Sequence, residues 1–330
     1  MKSASGNRIY IQEVSARDGF QAEPKFIPTA EKIDYLNRLG RTGLAKIEVT
    51  SFTSATAVPT LADAETVFKG ISRVPEVVYT ALIPNLRGCE RALAAGVGEI
   101  NVVMSASETH NLANLRMNCG QSLAQIDNIA RRVNGLAAIS ISLSAAFGCP
   151  FEGEISVSRV LELVDRFVQM RICQVSLCDT TGMAHPAQVE RLFSDCKRQW
   201  PEIQLTAHFH NTRGMGLANV LAALECGVDR FDASLGGLGG CPFAPGATGN
   251  ICTEDLVHML QSMGYSTGVD LNALLLIATD LPKIVQHDVP GQVMKAGLST
   301  RRYPAPAGIS SHTAAARSAG RAGHCKSSSK

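Results

Sequence analysis

Eight short β-branched or apolar runs, each followed by a longer amphipathic segment, set the limits on how this 330-residue chain can fold. The strand-like runs cover residues 9–14, 46–50, 77–82, 99–104, 138–143, 174–178, 204–208 and 230–234. Apolar residues at helical spacing fill the gaps at 29–39, 63–71, 86–95, 121–133, 156–169, 186–198 and 214–226, and again at 253–263. The first of these helices reads as capped by Thr29 and stopped at Gly40, a hydroxyl at one end and a glycine at the other. No two strands are neighbours in the chain, so the spacing predicts parallel strands joined by helical crossovers. Eight such units over roughly 250 residues is the count of an α/β TIM (β/α)8 barrel. A doubly wound open sheet is the competing arrangement. A further apolar segment at 271–279 predicts an additional C-terminal helix outside the barrel. From residue 299 the composition turns to Ser, Ala, Gly, Arg and Pro, which cannot bury enough apolar surface to offset the entropy of ordering. The expected organisation is a barrel domain over 1–298 and a disordered tail over 299–330.

Composition narrows the partners. The chain has 31 Lys and Arg against 29 Asp and Glu, a net charge of +2. Six of the cations lie after residue 300 with no acid among them, so the rest of the chain sums to −4. A mildly acidic body argues against polyanion binding, and no nucleic-acid partner is expected. No apolar run approaches the length of a membrane span, and Met1-Lys2-Ser3-Ala4-Ser5 lacks the apolar core of a signal peptide. No membrane partner is expected either. The ten cysteines include no CxxC pair and sit in apolar or glycine-rich stretches. That pattern reads as reduced thiols in the cytoplasm rather than disulfides or a zinc knuckle.

A barrel of this kind carries its chemistry at the C-terminal ends of its strands, and polar residues gather there. The first strand runs into Arg17-Asp18-Gly19-Phe20-Gln21, and the second carries Glu48 and ends in Thr50-Ser51-Phe52. The fourth leads to Ser107-Glu108-Thr109-His110-Asn111, the sixth to Asp179-Thr180-Thr181-Gly182, and the seventh to His208-Phe209-His210-Asn211. The eighth opens into a glycine run at 236–240, then Cys241, then Asn250. Alternate side chains of a strand share a face, so His208 and His210 can aim two imidazoles at one point. With the carboxylate of Asp18 and the amide oxygen of Asn250 they make a mixed N/O set, suited to Mg2+ or Mn2+ rather than to structural zinc.

Each element also has a plainer reading: two histidines bonded to a strand end, Cys241 packed as a small apolar side chain, Arg17 paired with Glu13 or Glu48. The coincidence of the histidine pair with Arg17-Asp18 and Asn250 at other strand ends favours the metal. The glycines before Cys241 leave backbone amides free to lower its thiol pKa. Gln21, Ser51 and Asn111, at the ends of the first, second and fourth strands, are expected to contact the substrate.

Several of these segments resemble the hydroxymethylglutaryl-CoA lyase family. They are Arg17-Asp18-Gly19-Phe20-Gln21, Ile47-Glu48-Val49-Thr50-Ser51-Phe52, Phe147-Gly148-Cys149-Pro150-Phe151-Glu152-Gly153, His208-Phe209-His210-Asn211 and Gly237-Leu238-Gly239-Gly240-Cys241-Pro242-Phe243-Ala244. Ala247-Thr248-Gly249-Asn250 and Thr253-Glu254-Asp255 extend the match, which covers 9–270 in consistent order. The resemblance implies a TIM barrel and a divalent-metal-dependent, retro-aldol cleavage of a 3-hydroxyacyl-CoA to acetyl-CoA and a keto acid, with a place in leucine degradation. It implies Asp18, His208, His210 and Asn250 as the metal ligands, Arg17 as the group that stabilises enolate charge, and Cys241 as acid/base beside the nascent acetyl-CoA. Glu48 and Asp179 are implied at or just behind the metal and substrate, with Asp179 taking the hydroxyl proton. The implied partner is a small acyl-CoA, and a homodimer is the default assembly.

The chain also departs from the family. Asn211 stands where Asp is common, which is similar to the isopropylmalate and homocitrate synthases. Ser140 and Ser142 replace a basic and an aromatic residue on the fifth strand, and Thr56 stands where a lysine is usual. A sister activity on citramalyl-CoA or another branched 3-hydroxyacyl-CoA, a condensing synthase, and a binding protein with decayed chemistry are the alternatives.

Overall fold

The computed structural model describes residues 8–240, 249–304 and 306. Cys241 and most of the expected tail lie outside the described residues. Eight parallel strands close into a barrel: β1 Tyr10–Glu13, β2 Lys46–Ser51, β3 Val78–Ile83, β4 Glu99–Ser105, β5 Ala138–Ser144, β6 Gln174–Asp179, β7 Gln204–Phe209 and β8 Arg230–Ala233. Each strand pairs with its sequence neighbour, and β1 closes on β8 with Tyr10 opposite Arg230 and Glu13 opposite Ala233. The closed order excludes the open doubly wound sheet. A boundary between two compact units falls after Lys295.

Strand alternation separates two interiors. In β5 the sequence Ala-Ile-Ser-Ile-Ser-Leu-Ser sends Ile141 and Leu143 outward, where they are fully buried, and Ser140, Ser142 and Ser144 towards the barrel axis. β7 does the same with Leu205, Ala207 and Phe209 against Thr206 and His208. Barrel axes are usually filled by bulky branched side chains; this one is filled by polar groups that bond across it. Gln12 Nε2 donates to Thr206 Oγ1 at 3.1 Å, and Asn101 Nδ2 donates to Glu48 Oε1 at 2.7 Å. Buried polar groups are stable when hydrogen-bonded, and these cross-axis bonds hold Gln12, Asn101, Glu48 and Thr206 in place.

The outward residues meet a ring of helices: α1 Thr29–Leu39, α2 Ala64–Gly70, α3 Leu86–Ala94, α4 Glu108–Leu115, α5 Cys119–Val133, α6 Val157–Gln169, α7 Pro186–Gln199, α8 Gly216–Glu225 and α9 Thr253–Ser262. Leu36, Leu39, Phe68, Ile129, Leu163 and Phe193 are fully buried there. Burying each contributes about 1.5–3 kcal/mol, and this layer stabilises a barrel whose axis is polar.

The helix ends depart from expectation in four places. Thr29 is the first helical residue rather than the cap; Pro28, in an extended conformation, occupies the cap position, and the Thr29 hydroxyl donates to Asp63 at 2.7 Å. Helix α4 lies where the residues read as a polar strand end, and its cap, Ser107, accepts from the His110 N–H. Helix α5 begins at Cys119, two residues earlier than its apolar spacing shows, because Asn118 and Gln121 form a reciprocal capping box. The additional C-terminal helix, α10, runs Leu271–Val285. It continues past the expected 279 to Val285, with Pro282, which has no N–H to donate, inside its last turn.

Candidate functional site

After β1 the backbone makes one turn of π-helix over Ser15–Gly19, with the N–H groups of Arg17 and Asp18 donating to the Val14 carbonyl at 3.1 and 2.7 Å. This turn lays Arg17 and Asp18 across the C-terminal mouth of the barrel. Gly19 is required there: a Cβ would lie 2.8 Å from the Cβ of Leu238. Opposite, β7 presents His208 at the mouth, and His210, one residue beyond the strand, forms an isolated bridge with Asn250. The two imidazole centroids are 5.3 Å apart. One donor atom each from Asp18, His208 and His210 lies within 4.8 Å of the others, so these three can hold a metal ion.

Asn250 lies against this cluster. Its Nδ2 donates to Asp18 Oδ2 at 2.7 Å and to the Leu238 carbonyl at 3.0 Å. Its Oδ1 is buried without a hydrogen-bond partner. An unclaimed amide oxygen beside two imidazoles and a carboxylate is the donor that a hard cation takes, so the residues present fit a divalent ion. Gly239 brings the glycine run against this centre; a Cβ there would meet Asn250 Nδ2 at 2.6 Å and Asp18 Oδ2 at 3.1 Å.

The electrostatics match. Burial pushes the Asp18 carboxyl up, but the Arg17 guanidinium and the two imidazoles outweigh it and hold the group at about 2. Burial pushes His208 down, and the hydrogen bond and charge of Asp232 more than reverse this. Asp232 is opposite His208 in the β7–β8 register, and its Oδ2 lies 3.2 Å from His208 Nδ1. That contact assigns the proton to Nδ1 and leaves Nε2 unprotonated, with a lone pair able to take a cation.

Behind Arg17 stands Glu48. Arg17 Nε donates to Glu48 Oε2, and Arg17 Nη1 to Asp18 Oδ1 at 2.6 Å. The ion pair between Arg17 and Glu48 is therefore present, while Glu13 is turned away. Glu13 accepts from the N–H groups of Ser15 and Leu235 at 2.8 and 2.9 Å and from the Thr253 hydroxyl at 2.6 Å. Together with Glu254, whose Oε2 accepts from the Gly236 N–H at 3.0 Å, it clamps the neck from which the glycine run leaves the barrel. Burial pushes the Glu254 carboxyl up to about 8.

A cavity of about 340 Å3 opens onto the centre, its wall including Arg17, Asp18, Ser142, Ser144, His208 and His210. Gln21 lines it, as expected. Other expected residues do not. Ser51 is fully buried and its hydroxyl pairs with that of Thr53 at 2.7 Å; Thr53 faces the cavity instead. Asn111 accepts from the Ser105 N–H and donates to the Met117 carbonyl and Ser122 hydroxyl, tying β4 to α5. On α4 it is His110 and Asn114, four residues apart and on one face, that line the cavity. Asp179 points out of the barrel by strand alternation, since Cys178 and Thr180 on either side of it line the cavity. Its Oδ1 accepts from the N–H groups of Met183 and Ala184 at 2.7 and 3.1 Å, and burial raises its carboxyl to about 6. Glu48 bonds Arg17 and Asn101, which places it behind the arginine rather than beside the metal ligands.

Sequence reasoning missed Asp232, Asn101 and His110. A signal existed for the first: an acid two residues before the end of a short buried strand has no apolar surface to face. For Asn101 the alternation of β4 places it inward with Glu99, and for His110 the cap Ser107 marks a helix.

With this geometry in hand, comparison with known proteins is direct. A family model described as HMGL-like matches residues 8–281. A hydroxymethylglutaryl-CoA lyase of Bacillus subtilis is 46% identical over 288 residues, 86% of this chain and 96% of that protein. The (R)-citramalyl-CoA lyase of Chloroflexus aurantiacus is 38% identical over 88% of this chain and 95% of its own length. Among solved structures, an HMG-CoA lyase from Acinetobacter baumannii, in complex with coenzyme A and 3-methylmalate, superposes with a TM-score of 0.88. It is 50% identical, with 93% of this chain and 99% of that one covered. A barrel with its histidine pair, Arg17-Asp18 and Asn250 at one mouth, matched by the family model over most of its length, belongs to the HMGL-like family.

Proposed function

We propose that this chain is a divalent-metal-dependent lyase that cleaves hydroxymethylglutaryl-CoA to acetyl-CoA and acetoacetate. The observation that carries the reading is the Asp18, His208 and His210 cluster with the unclaimed amide oxygen of Asn250, set beside Arg17 in one cavity. The relatives named for this activity, alike over nearly their whole length, support it.

The reaction breaks the C2–C3 bond of the acyl chain. The hydroxyl gives its proton to solvent, its oxygen becomes the ketone, and the C2 electron pair becomes a thioester enolate that must then take a proton. Asp18, His208, His210 and Asn250 would hold a divalent cation, Mg2+ or Mn2+ by these N/O donors, and the ion would supply Lewis acidity that lowers the pKa of the substrate hydroxyl. Arg17, fixed by Glu48 and Asp18, presents a permanent positive charge where enolate charge develops. Asp232 keeps His208 in the ligating tautomer. Cys241, at the end of the glycine run, is assigned as the acid that protonates C2, its thiolate then recovering a proton from solvent. Asp179, turned to the helix layer, holds the 182–184 turn rather than a substrate proton.

A sister activity on a citramalyl-CoA is the second reading. The 38% identical Chloroflexus lyase and the uncharged serine wall of β5 favour it. We place the activity in the cytoplasm on the eight free cysteines among the described residues, and assign a homodimer. A panel of 3-hydroxyacyl-CoAs with acetyl-CoA release as readout tests the reading. Release from hydroxymethylglutaryl-CoA at the highest kcat/KM is expected; thiol release from acetyl-CoA plus a 2-oxo acid, with no cleavage, would instead mark a condensing synthase.

A further inference from the structure

The hydrogen bonds that link Arg17 to Ser142 across the barrel converge on Glu48, and Ser142, at their far end, lines the substrate cavity. A guanidinium has no acceptor, so Arg17 Nε can only donate to Glu48 Oε2. The other carboxylate oxygen, Oε1, then receives the Asn101 Nδ2 at 2.7 Å, which fixes the orientation of that amide. Asn101 Oδ1 is left facing β5, where it can only accept. The Ser142 hydroxyl therefore donates to it, at 3.0 Å. A hydroxyl has one proton. With that proton committed, Ser142 offers the cavity lone pairs alone.

The β5 strand carries no charged side chain, and Ser144 is its other residue on the cavity. A carboxylate, which is acceptor-only, would meet an acceptor at Ser142. A donor fits, and the donor that every 3-hydroxyacyl-CoA carries is its hydroxyl. We infer that Ser142 is a specificity-determining residue that accepts a hydrogen bond from the substrate hydroxyl, its polarity set by the chain Arg17–Glu48–Asn101. The substrate carboxylate is thereby turned away from Ser142. The inference rests on the reading of the site as a 3-hydroxyacyl-CoA lyase.

The test compares two ligands that differ by the hydroxyl alone. In the metal-loaded enzyme, kcat/KM is measured for hydroxymethylglutaryl-CoA and the inhibition constant for 3-methylglutaryl-CoA, with wild type, Ser142→Ala and Ser142→Thr. For Ser142→Ala, kcat/KM falls about three- to tenfold, the worth of one neutral hydrogen bond. The inhibition constant stays within about twofold, because the deoxy ligand never made that bond. Ser142→Thr, which keeps the hydroxyl, recovers most of the loss. Parallel loss for both ligands, or no loss for either, overturns the assignment of Ser142 while leaving the lyase reading intact. A wild type that cleaves no 3-hydroxyacyl-CoA overturns both.

Discussion

Glu254→Gln separates the electrostatics of the glycine-run neck from the rest of the protein. Glu254 is fully buried, its Oε2 bonded to the Gly236 N–H and its Oε1 without a partner. Burial raises its carboxyl from the ordinary glutamate value to about 8. Between the two values the folded chain holds a proton that the unfolded chain has released. Stability is therefore fully present below the unfolded pKa and is lost as pH rises through the folded one, at about 1.4 kcal/mol per pH unit. The amide that replaces the carboxyl in the variant cannot titrate. All other groups are shared, so the stability difference between wild type and variant isolates this one. From pH 5.5 to pH 7.5 that difference should move against the wild type by about 2.5 kcal/mol. At roughly 0.6 kcal/mol per kelvin for a chain of this size, the two melting curves approach or cross by about 4 °C. Urea unfolding and calorimetry at both pH values measure it. Parallel stability–pH curves for the two proteins would refute the argument, and with it the view that a neutral Glu254 holds the neck.

Two further outcomes follow from the site. Asp232→Ala removes the acceptor that orients His208, and Mn2+ affinity read by titration calorimetry should fall about 10- to 100-fold; Asp232→Asn, which keeps an acceptor, should lose less. Equal affinity in all three proteins would show that Asp232 does not fix the ligand. Cys241→Ser should lower turnover by orders of magnitude and leave the binding of a CoA ester largely intact; near-wild-type turnover would remove the thiol from the proton transfer.

The barrel was legible because its strands are rich in β-branched residues and their outward face is mostly apolar, as in Ile141 and Leu143. The cluster of Asp18, His208 and His210 was legible because these residues sit at strand ends and because His208 and His210 share one face. The errors come from direction rather than position. Asp179 is at a strand end, but one residue out of phase with Cys178 and Thr180, so its carboxylate serves a turn behind the barrel. Asn111 lies on a helix that read as a loop, and a rotation of one helical position gives the cavity to His110 instead. Asp232 and Asn101 take their meaning from partners on other strands, His208 and Glu48, and cross-barrel pairing is set by closure and register, which no local pattern encodes.

The central claim is that the Asp18, His208, His210 and Asn250 centre binds a divalent ion on which cleavage depends. The direct measurement is acetyl-CoA release from hydroxymethylglutaryl-CoA before and after EDTA, then after Mg2+ or Mn2+ is restored, for wild type and His210→Ala. Wild type should lose its activity with chelation and regain it with metal, and His210→Ala should bind Mn2+ weakly and stay inactive at a metal concentration that saturates wild type. Undiminished release in EDTA, or a His210→Ala protein that binds metal and turns over like wild type, would contradict the account.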